Sequence, residues 1–376
     1  MTQMKSFLTG HAMGTEAREL VNTCLSQIGD IPDEANLGFI YATDALATEL
    51  EHILHLLKQA TGITHWTGTL GIAICVTDRE IYDQPALAVM VGSFPEDAFL
   101  PLDNLTKSVD GFVTKHANWI EKNQPVFGIL QGDPTNPATP DLMENLSEAL
   151  NGGFFAGGLT SSQSLQLQVN GDIVTNGLSG ILFSPDINVA TDHTQGCVPI
   201  GPRHRVTDSD RNIVIELDNR PALQVLKEDI GEILSHDLNR LGGFIFAGLP
   251  IKHSDTGDYM IRNLIGIDSD RQLLAIGEIL QADDEIMFCR RDGNAATEDM
   301  LRMLENLKTR MKGKPPRGGL YFSCLGRGRH QFGEDSEELK MITEVLGEFP
   351  LVGFFANGEI YHNRLYGFTG VLTLFL

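Results

Sequence analysis

A run of five residues, Gly-Arg-Gly-Arg-His at 326–330, concentrates positive side chains between glycines. The whole chain has 50 Asp and Glu against 28 Lys and Arg, so this run stands out from its surroundings. Glycine leaves backbone amides accessible to an anion, and guanidinium groups bind carboxylates and phosphates. Arg327, Arg329 and His330 are therefore candidate ligands for a small anion, and a solvated loop that pairs with neighbouring acidic residues is the alternative. Gln331 stands where a Gly-x-Gly-x-x-Gly motif needs its third glycine, which argues against dinucleotide binding.

Two similar glycine-rich segments precede polar residues: Gly-Gly-Phe-Phe-Ala-Gly-Gly at 152–158 and Val-Gly-Phe-Phe-Ala-Asn-Gly at 352–358. A turn after the second segment would place an amide and a carboxylate beside glycine amides. A turn after the first would place hydroxyl groups beside exposed backbone amides. Both arrangements suit a small polar ligand, and turns that need Asn and Gly only for positive φ are the alternative. The candidate ligand-binding residues of these turns are Gly157, Gly158, Thr160, Ser161, Asn357, Gly358 and Glu359.

Nucleophilic catalysis has little support in the sequence. No Gly-x-Ser-x-Gly elbow occurs, and no Cys stands at a recognisable family spacing from a His. We therefore predict no catalytic residue. Cys324 is the best thiol for an alternative hypothesis, a hydrolase or transferase, because the cations that follow it would favour a thiolate, and it is also included among the candidate ligand-binding residues. Burial of Cys324 as a small strand residue is the competing interpretation.

The cysteines and histidines are the residues that could bind a metal or haem. The five cysteines are odd in number and never form Cys-x-x-Cys, which indicates reduced thiols and no structural metal site. His193 and His204 lie in an irregular segment, 185–207, where a cleft ligand could be held. An axial haem histidine has no sequence signature of its own, so no cofactor is required by this pattern.

The elements that position these residues form a repeated unit. A strand-like segment at 126–130 and a helical stripe of leucines precede the first glycine turn, and a strand at 320–324 precedes the second. Leu339, Ile342 and Leu346 form the helical stripe of the second copy, where Asp335 and Glu338 have capping-box spacing. Each turn is followed by a hairpin pattern. The repeated order is strand, helix, glycine turn and hairpin, and a fainter third copy starts at Leu37.

Helices interleaved with hairpins predict an α+β fold, in which mixed or antiparallel sheets are layered with helices. The length of 376 residues exceeds what one core usually organises, so two domains are expected. A stretch rich in Pro, Gly, Asp and Thr at 185–207 separates them. We predict an N-terminal domain over 1–207 and a C-terminal domain over 208–376.

Charge and hydropathy exclude several classes of partner. The formal charge of −22 disfavours nucleic acid and anionic lipid surfaces. The apolar runs are strand-sized, far short of the roughly 20 residues that cross a bilayer. The first residues lack the apolar core of a secretory signal, so a cytoplasmic location without membrane insertion is expected.

The chain resembles the bacterial FIST proteins, which have paired FIST-N and FIST-C domains. The matching stretches include 152–162, Gly-Cys-Val-Pro-Ile-Gly at 196–201, Asp-Asn-Arg-Pro-Ala-Leu at 218–223, Cys-Leu-Gly-Arg-Gly at 324–328 and Gly-Phe-Phe-Ala-Asn-Gly-Glu-Ile at 353–360. The resemblance implies an intracellular sensory module for small ligands such as amino acids, which signals to a separate partner. One branch of similar proteins binds haem and reports nitric oxide to a histidine kinase. For that branch, His204 would be the first position to test and His193 the second.

The sequence therefore favours a non-catalytic sensor that binds an amino-acid-like, polar or anionic metabolite near 327–330 and 357–359. A haem-dependent nitric-oxide sensor that regulates a histidine kinase is the second hypothesis. Two alternatives remain. One is a hydrolase or transferase whose nucleophile is Cys324 or a hydroxyl of Thr160, Ser161 or Ser162, and the other is a scaffold whose glycine turns serve only the fold. The hypotheses differ in one testable respect, namely whether the glycine turns of the repeats form a receptor site.

Overall fold

The computed structural model describes residues 6–235, 241–251 and 259–376. The helices in this part of the chain are α1 (Ala17–Ile28), α2 (Leu50–Thr61), α3 (Asp110–Lys115), α4 (Ala117–Asn123), α5 (Thr139–Ala149), α6 (Ala222–Ser235), α7 (Gly293–Met311), α8 (Arg329–Phe332) and α9 (Glu337–Leu346). The strands up to the middle of the chain are β1 (Leu8–Met13), β2 (Leu37–Thr43), β3 (His65–Gly71), β4 (Ile74–Val76), β5 (Arg79–Ile81), β6 (Ala86–Gly92), β7 (Phe99–Pro101), β8 (Phe127–Gly132), β9 (Phe154–Leu159), β10 (Gln168–Asn170), β11 (Asp172–Val174), β12 (Leu178–Phe183) and β13 (Val189–Gln195). They are followed by β14 (Cys197–Pro199), β15 (His204–Asp210), β16 (Ile213–Leu217), β17 (Arg220–Pro221), β18 (Ile245–Pro250), β19 (Tyr259–Asp268), β20 (Leu273–Ile276), β21 (Glu285–Arg291), β22 (Gly318–Cys324), β23 (Leu351–Ala356), β24 (Glu359–His362), β25 (Arg364–Tyr366) and β26 (Thr369–Phe375).

The predicted α+β class is confirmed, and the described residues divide into two compact units. The first unit contains the chain up to Thr194 together with Met300–Leu365 and Thr369–Leu376. The second contains the described part of Gln195–Asp299 and the short segment Tyr366–Phe368. The boundary predicted after residue 207 falls within β15, inside the second unit. In sequence, the second unit is thus an insertion into the first.

The first unit consists of three copies of the same arrangement. In each copy a strand, a helix and a second, parallel strand are followed by a hairpin and an antiparallel strand. The parallel pairs are β2 with β3, β8 with β9, and β22 with β23. The predicted duplication is confirmed, and the fainter copy that starts at Leu37 is the third.

The hairpins of the three copies are exchanged in a closed cycle. The three six-stranded sheets in the described residues have the orders β1-β6-β2-β3-β10-β11, β7-β12-β8-β9-β24-β25 and β13-β26-β22-β23-β4-β5. The hairpin β4-β5 of the first copy therefore joins the sheet of the third, β10-β11 of the second joins the first, and β24-β25 of the third joins the second. Each sheet depends on another copy for its edge, so the three copies form one structure.

A glycine on each parallel strand permits this packing. A Cβ atom would lie 1.7 Å from the Ile40 carbonyl oxygen at Gly68, 1.9 Å from that of Leu130 at Gly157, and 1.7 Å from that of Tyr321 at Gly353. Heavy atoms cannot approach so closely, so only glycine fits between these paired strands. The glycines of the repeated segments are thus required by the strand packing as well as by the turns.

Side chains of the central strands point alternately to the two faces of each sheet, and the two faces pack into different cores. One face of all three sheets packs into a shared aromatic core that includes Tyr41, Ile129, Phe322 and Phe354. The opposite face of each sheet is covered by its own helices: α1 and α2 on the first, α3 and α5 on the second, α7 and α9 on the third. Because both faces are covered, the central strands are buried along almost their whole length and are mostly apolar, as expected for buried parallel strands.

The second unit is built on a closed ring of antiparallel strands. Strands β21, β15, β16, β20, β19 and β18 pair in this order, and β18 pairs with β21 to close the ring. Helix α6 packs its buried residues Ala222, Leu223, Val225 and Leu226 into the same apolar cluster as the ring strands. Residues 236–240, which follow α6 in the sequence, lie outside the described part. No helix in the described residues is long and apolar enough to cross a membrane.

Candidate functional site

The predicted ligand-binding residues lie where parallel strands of the first unit end. Cys324 is the last residue of β22, and the turns that contain Thr160 and Asn357 follow β9 and β23. The Leu325 amide donates to the Ala356 carbonyl at 3.2 Å, and the Asn357 amide donates to the Leu159 carbonyl at 3.0 Å. The structure therefore brings the two glycine turns and the start of the Arg-Gly-Arg-His run to one edge of the sheets.

Arg327 is fully buried and bound to Glu338, the second residue of α9. The guanidinium Nε donates to Glu338 Oε1 at 2.7 Å. The same carboxylate accepts hydrogen bonds from the Tyr321 hydroxyl at 2.6 Å, the Ser323 hydroxyl at 3.0 Å and the Gly328 amide at 2.8 Å. Burial alone would lower the pKa of Arg327, but the Glu338 carboxylate raises it, so the guanidinium keeps its positive charge although it is buried.

The capping-box interpretation of Asp335 and Glu338 is wrong. Helix α9 begins after Ser336, which has φ 58° and makes no side-chain cap, and the Glu338 side chain is turned into the core. Sequence reasoning missed this role, although a signal was present. Glu338, Ile342 and Leu346 are spaced i, i+4 and i+8, which places the carboxyl group on the apolar face of the helix.

One terminal nitrogen of Arg327 is left without a partner. Nη1 is buried and has no acceptor of good hydrogen-bond geometry among the residues that the structure describes, although the Tyr321 hydroxyl lies close enough to the guanidinium to raise the pKa of Arg327. The guanidinium carbon lies 5.0 Å from the Phe332 ring centroid, and Nη2 lies 4.0 Å from the Met300 sulfur. These contacts are weak compared with a hydrogen bond to an oxygen. The N–H groups of Nη1 therefore remain available to donate to an additional acceptor.

Glu359 is the second buried charged residue at this edge, and only one of its two carboxyl oxygens accepts hydrogen bonds. Its Oε2 accepts from the Thr369 hydroxyl at 2.7 Å and the Thr369 amide at 3.2 Å. Its Oε1 has no hydrogen-bond partner in the described residues, and the Cys324 thiol lies beside the carboxyl group. Burial raises the pKa of Glu359 to about 8, although the Thr369 donors and the charge of Arg327 act in the opposite direction.

Glu80 brings a further buried carboxyl group from another copy. It lies on β5 of the exchanged hairpin, and neither of its oxygens has a partner of good hydrogen-bond geometry in the described residues. Burial, and then the negative charge of Glu338, raise the pKa of Glu80 to about 8, while the nearby Tyr82 hydroxyl and Arg329 amide lower it. No sequence pattern could have placed Glu80 here, because its position depends on hairpin exchange.

The hydroxyls of the first glycine turn connect the copies. Thr160 Oγ1 shares a hydrogen bond of 2.7 Å with Thr69 Oγ1. Ser161 Oγ accepts from the Ile72 amide at 2.9 Å and donates to the Phe355 carbonyl. Both side chains are buried. In this structure they join three strand ends, and Gly157 and Gly158 lie within β9 itself.

Arg329, His330 and Asn357 are the more exposed members of the predicted set. Arg329 pairs with Asp83 and lies with its guanidinium carbon 4.3 Å from the Tyr82 ring centroid. The two arginines of the run thus differ, because Arg327 points into the core whereas Arg329 follows the surface. Asn357 is exposed and Gly358 partly buried, with φ 116°.

The two histidines proposed for haem lie in different units. In the second unit His204 is 4% exposed, with Nδ1 2.7 Å from Asp218 Oδ2 and Nε2 2.8 Å from Asp229 Oδ2. Both ring nitrogens are therefore occupied by carboxylates, and iron binding would require one of them to move. His193, in the first unit, packs with its ring centroid 4.2 Å from that of Tyr361. The haem hypothesis and the enzyme hypothesis on Cys324 both stay predictions.

Comparison with known proteins identifies the family. The FIST N domain model matches residues 36–220, and the FIST C domain model matches residues 222–362. An uncharacterized protein of Mycobacterium tuberculosis is 32% identical over 324 residues, which cover 82% of this chain and 83% of that protein. An uncharacterized protein of Mycobacterium bovis is 30% identical over 364 residues, which cover 93% of this chain and 92% of its own length. These matches show that the chain belongs to the FIST family.

Proposed function

We propose that this protein is a non-catalytic sensor that binds a small polar metabolite beside Arg327 and Glu359 and signals to a separate partner protein. FIST domains are sensory domains that bind small ligands. The observation that carries the location is the pair of unused hydrogen-bonding positions, Arg327 Nη1 and Glu359 Oε1, on side chains with no solvent exposure. A buried polar atom without a partner costs about 1–3 kcal/mol, so such atoms usually mark a bound water or ligand.

The two groups lie in the same electrostatic environment. The charge of Arg327 acts on the Glu359 carboxyl group, and the Cys324 thiol, three residues before Arg327, lies beside that same carboxyl. A ligand in contact with both would also be close to the backbone amides of the glycine turns. Several groups from different strand ends would then share one small molecule, which is how selective small-ligand sites are usually built.

The protonation state of Glu359 indicates the chemical class of the ligand. With a pKa of about 8, most of the Glu359 carboxyl is protonated at neutral pH. Its unused oxygen can then carry a proton and act as a donor, as Arg327 Nη1 does. Two donors favour an oxygen-rich ligand such as a carboxylate, including the carboxylate of an amino acid. A ligand that instead presents an ammonium group would bind the ionised form of Glu359.

Signal transfer requires the ligand to distinguish two states of the protein. Binding shifts an equilibrium only by the difference in affinity for its two states. A ligand that satisfies Arg327 and Glu359 stabilises the state in which both are buried. The expected signature is a rise in melting temperature that increases with ligand concentration.

The test is a thermal-shift screen of amino acids and small di- and tricarboxylates, followed by calorimetric titration of the hits. Glu359→Leu should weaken binding by about tenfold or more, because a hydrogen bond to a charged group is worth about 1.5–3 kcal/mol. Glu337→Gln is the matched control, since this neighbour of Glu338 is exposed and pairs only with Lys340 in the described residues. Equal affinity in Glu359→Leu and the control, or the absence of any saturable binding, would refute the proposed site.

A second variant distinguishes the two ligand classes. Glu359→Gln keeps an acceptor for Thr369 and presents an amide donor at the other position. For a carboxylate ligand the variant should bind at pH 7 about as well as the wild type. The affinity of the wild type should fall as the pH rises through about 8, the pKa of Glu359, and that of the variant should not. For an ammonium ligand, Glu359→Gln should instead lose affinity, and the loss relative to the wild type should grow as the pH rises through about 8.

A further inference from the structure

A cavity lies in the first unit, at the edge where the parallel strands β8 and β9 begin. Its volume is 680 Å³, within the usual range for sites of small organic ligands. Phe127 and Phe154, the first residues of these strands, form part of its wall. The candidate site of the proposed function lies where parallel strands end, so this cavity is a separate feature.

The charge of the cavity is opposite to that of the chain. Arg310, Lys312 and Lys314 line it, together with the last residue of the sequence, Leu376, and its α-carboxylate. Neither Asp nor Glu lines it, although acidic residues outnumber basic ones by 50 to 28 in the sequence. Arg310 Nη1 donates to the Thr191 carbonyl at 2.8 Å, which holds the guanidinium at the cavity. In the described part of the chain, none of the three cations has a carboxylate within 4.0 Å.

The remaining wall is apolar and aromatic. Phe154 and Tyr361 meet edge to face with their ring centroids 4.9 Å apart. Both rings are only partly buried and pack against the shared core, as does Val189. Val126, also in the lining, is 54% exposed and adds apolar surface at the mouth of the cavity. Aromatic and aliphatic surface next to three cations suits a molecule with a flat apolar body and a negative group.

The dipole of helix α7 explains part of this positive charge. Cations at the C-terminus of a helix are stabilised by its dipole, Arg310 belongs to the last turn of α7, and Lys312 directly follows its last residue, Met311. Lys314 lies further from the helix end, where the effect falls off. The dipole does not explain why the lining contains neither Asp nor Glu.

We propose that this cavity binds a small amphiphilic anion, an aromatic or similarly flat apolar molecule that carries a carboxylate or a phosphate. The apolar body would lie against Phe154 and Tyr361, and the anionic group would face Lys312 and Lys314. Arg310 would close one side through its hydrogen bond to Thr191. The proposal is independent of the site at Arg327 and Glu359, because no residue is shared.

The experiment measures binding of three naphthalene probes to the full chain by calorimetry and probe fluorescence. They are 2-naphthoate, 2-naphthyl phosphate and the uncharged 2-naphthamide. We expect saturable binding of at least one anion and binding at least about fivefold weaker for the amide, the effect of about two modest ion pairs. Preference for naphthoate would assign a carboxylate ligand, and preference for naphthyl phosphate a phosphate ligand. Equal binding of all three probes, or no saturable binding, would overturn the proposal.

Two sets of variants locate the binding. Lys312→Gln/Lys314→Gln should lower the affinity for the preferred anionic probe about fivefold or more and leave the affinity for 2-naphthamide unchanged. The matched control is Lys308→Gln/Lys340→Gln, which removes the same charge from lysines that pair with Glu305 and Glu337. Val126→Glu places a negative charge at the cavity on an exposed side chain and should also lower the affinity for the anionic probe. Equal loss in the control pair, or no loss in Val126→Glu, would show that the probe binds elsewhere.

Discussion

The buried carboxylate of Glu338 provides the sharpest test of how the first unit is held together. We predict that Glu338→Ala destabilises this unit severely. The variant removes the acceptor of four hydrogen bonds, from the Arg327 guanidinium, the Tyr321 and Ser323 hydroxyls and the Gly328 amide. It leaves a fully buried guanidinium without a counter-charge.

The magnitude follows from the desolvation of that guanidinium. Removal of one partner of a buried ion pair costs about 3–5 kcal/mol, since the remaining charge is neither hydrated nor neutralised. The three other donors lose their acceptor as well, which places the expected loss in the free energy of unfolding at the upper end of this range. With a urea m-value of about 3 kcal/mol/M, the midpoint would fall by about 1 M or more.

The assay is urea unfolding followed by tryptophan fluorescence. The sequence contains 2 Trp, at 66 and 119, and both belong to the first unit, so the signal reports that unit. Glu337→Ala is the control, because its carboxylate is exposed and should change the free energy of unfolding by less than about 1 kcal/mol. If Glu338→Ala unfolded within about 1 kcal/mol of the wild type, the buried ion pair could not have the role assigned to it.

Three further results are expected. The double variant Arg327→Met/Glu338→Leu should recover part of the stability lost in Glu338→Ala, because it removes the isolated charge but leaves the Tyr321, Ser323 and Gly328 donors unsatisfied; urea midpoints equal to that of Glu338→Ala would contradict this. Gly353→Ala should lower the free energy of unfolding by about 3 kcal/mol, because its Cβ would meet the Tyr321 carbonyl oxygen at 1.7 Å. Gly111→Ala on α3 is the control: a Cβ there has nothing within 4 Å, so the variant should raise the free energy of unfolding by about 0.5–1 kcal/mol in the same assay. Burial lowers the pKa of His204, but Asp218 and Asp229 raise it above the ordinary value of 6.5. The protonated imidazole therefore stabilises the second unit below pH 6.5, and this contribution is lost as the pH rises through the folded-state pKa. NMR titration of the imidazole should give a midpoint above 6.5, and one at or below 6.5 would contradict the assignment.

The exchange of hairpins explains why groups from distant parts of the sequence meet. Glu80 of the first copy lies near Glu338 and Arg327 of the third because β4-β5 pairs with β23. Ser161 of the second copy links the Ile72 amide of the first to the Phe355 carbonyl of the third. A closed cycle of exchanged elements makes each copy contribute to a neighbour's sheet, so a change at one strand end reaches the others through direct hydrogen bonds.

Local patterns in the sequence were sufficient for the repeated unit, the α+β class and the family. The apolar stripe of α9 and the paired Phe-Phe-Ala segments are determined within about twenty residues, by the periodicity of helices and strands and by glycine at close contacts. The resemblance to FIST proteins rested on the same short stretches. These features are properties of the chain itself, and the sequence alone determined them.

The tertiary structure decided what the charged residues do. Arg327 and Arg329 are two residues apart and chemically identical, yet Arg327 is buried against Glu338 whereas Arg329 pairs with Asp83 at the surface. The partners are separated in sequence by 11 residues in one case and 246 in the other. Sequence periodicity shows that a side chain faces a core, but burial, the partners of a charge and hence its protonation depend on which strands pair. That pairing is set by the packing of all three copies together, so only the folded structure could reveal it.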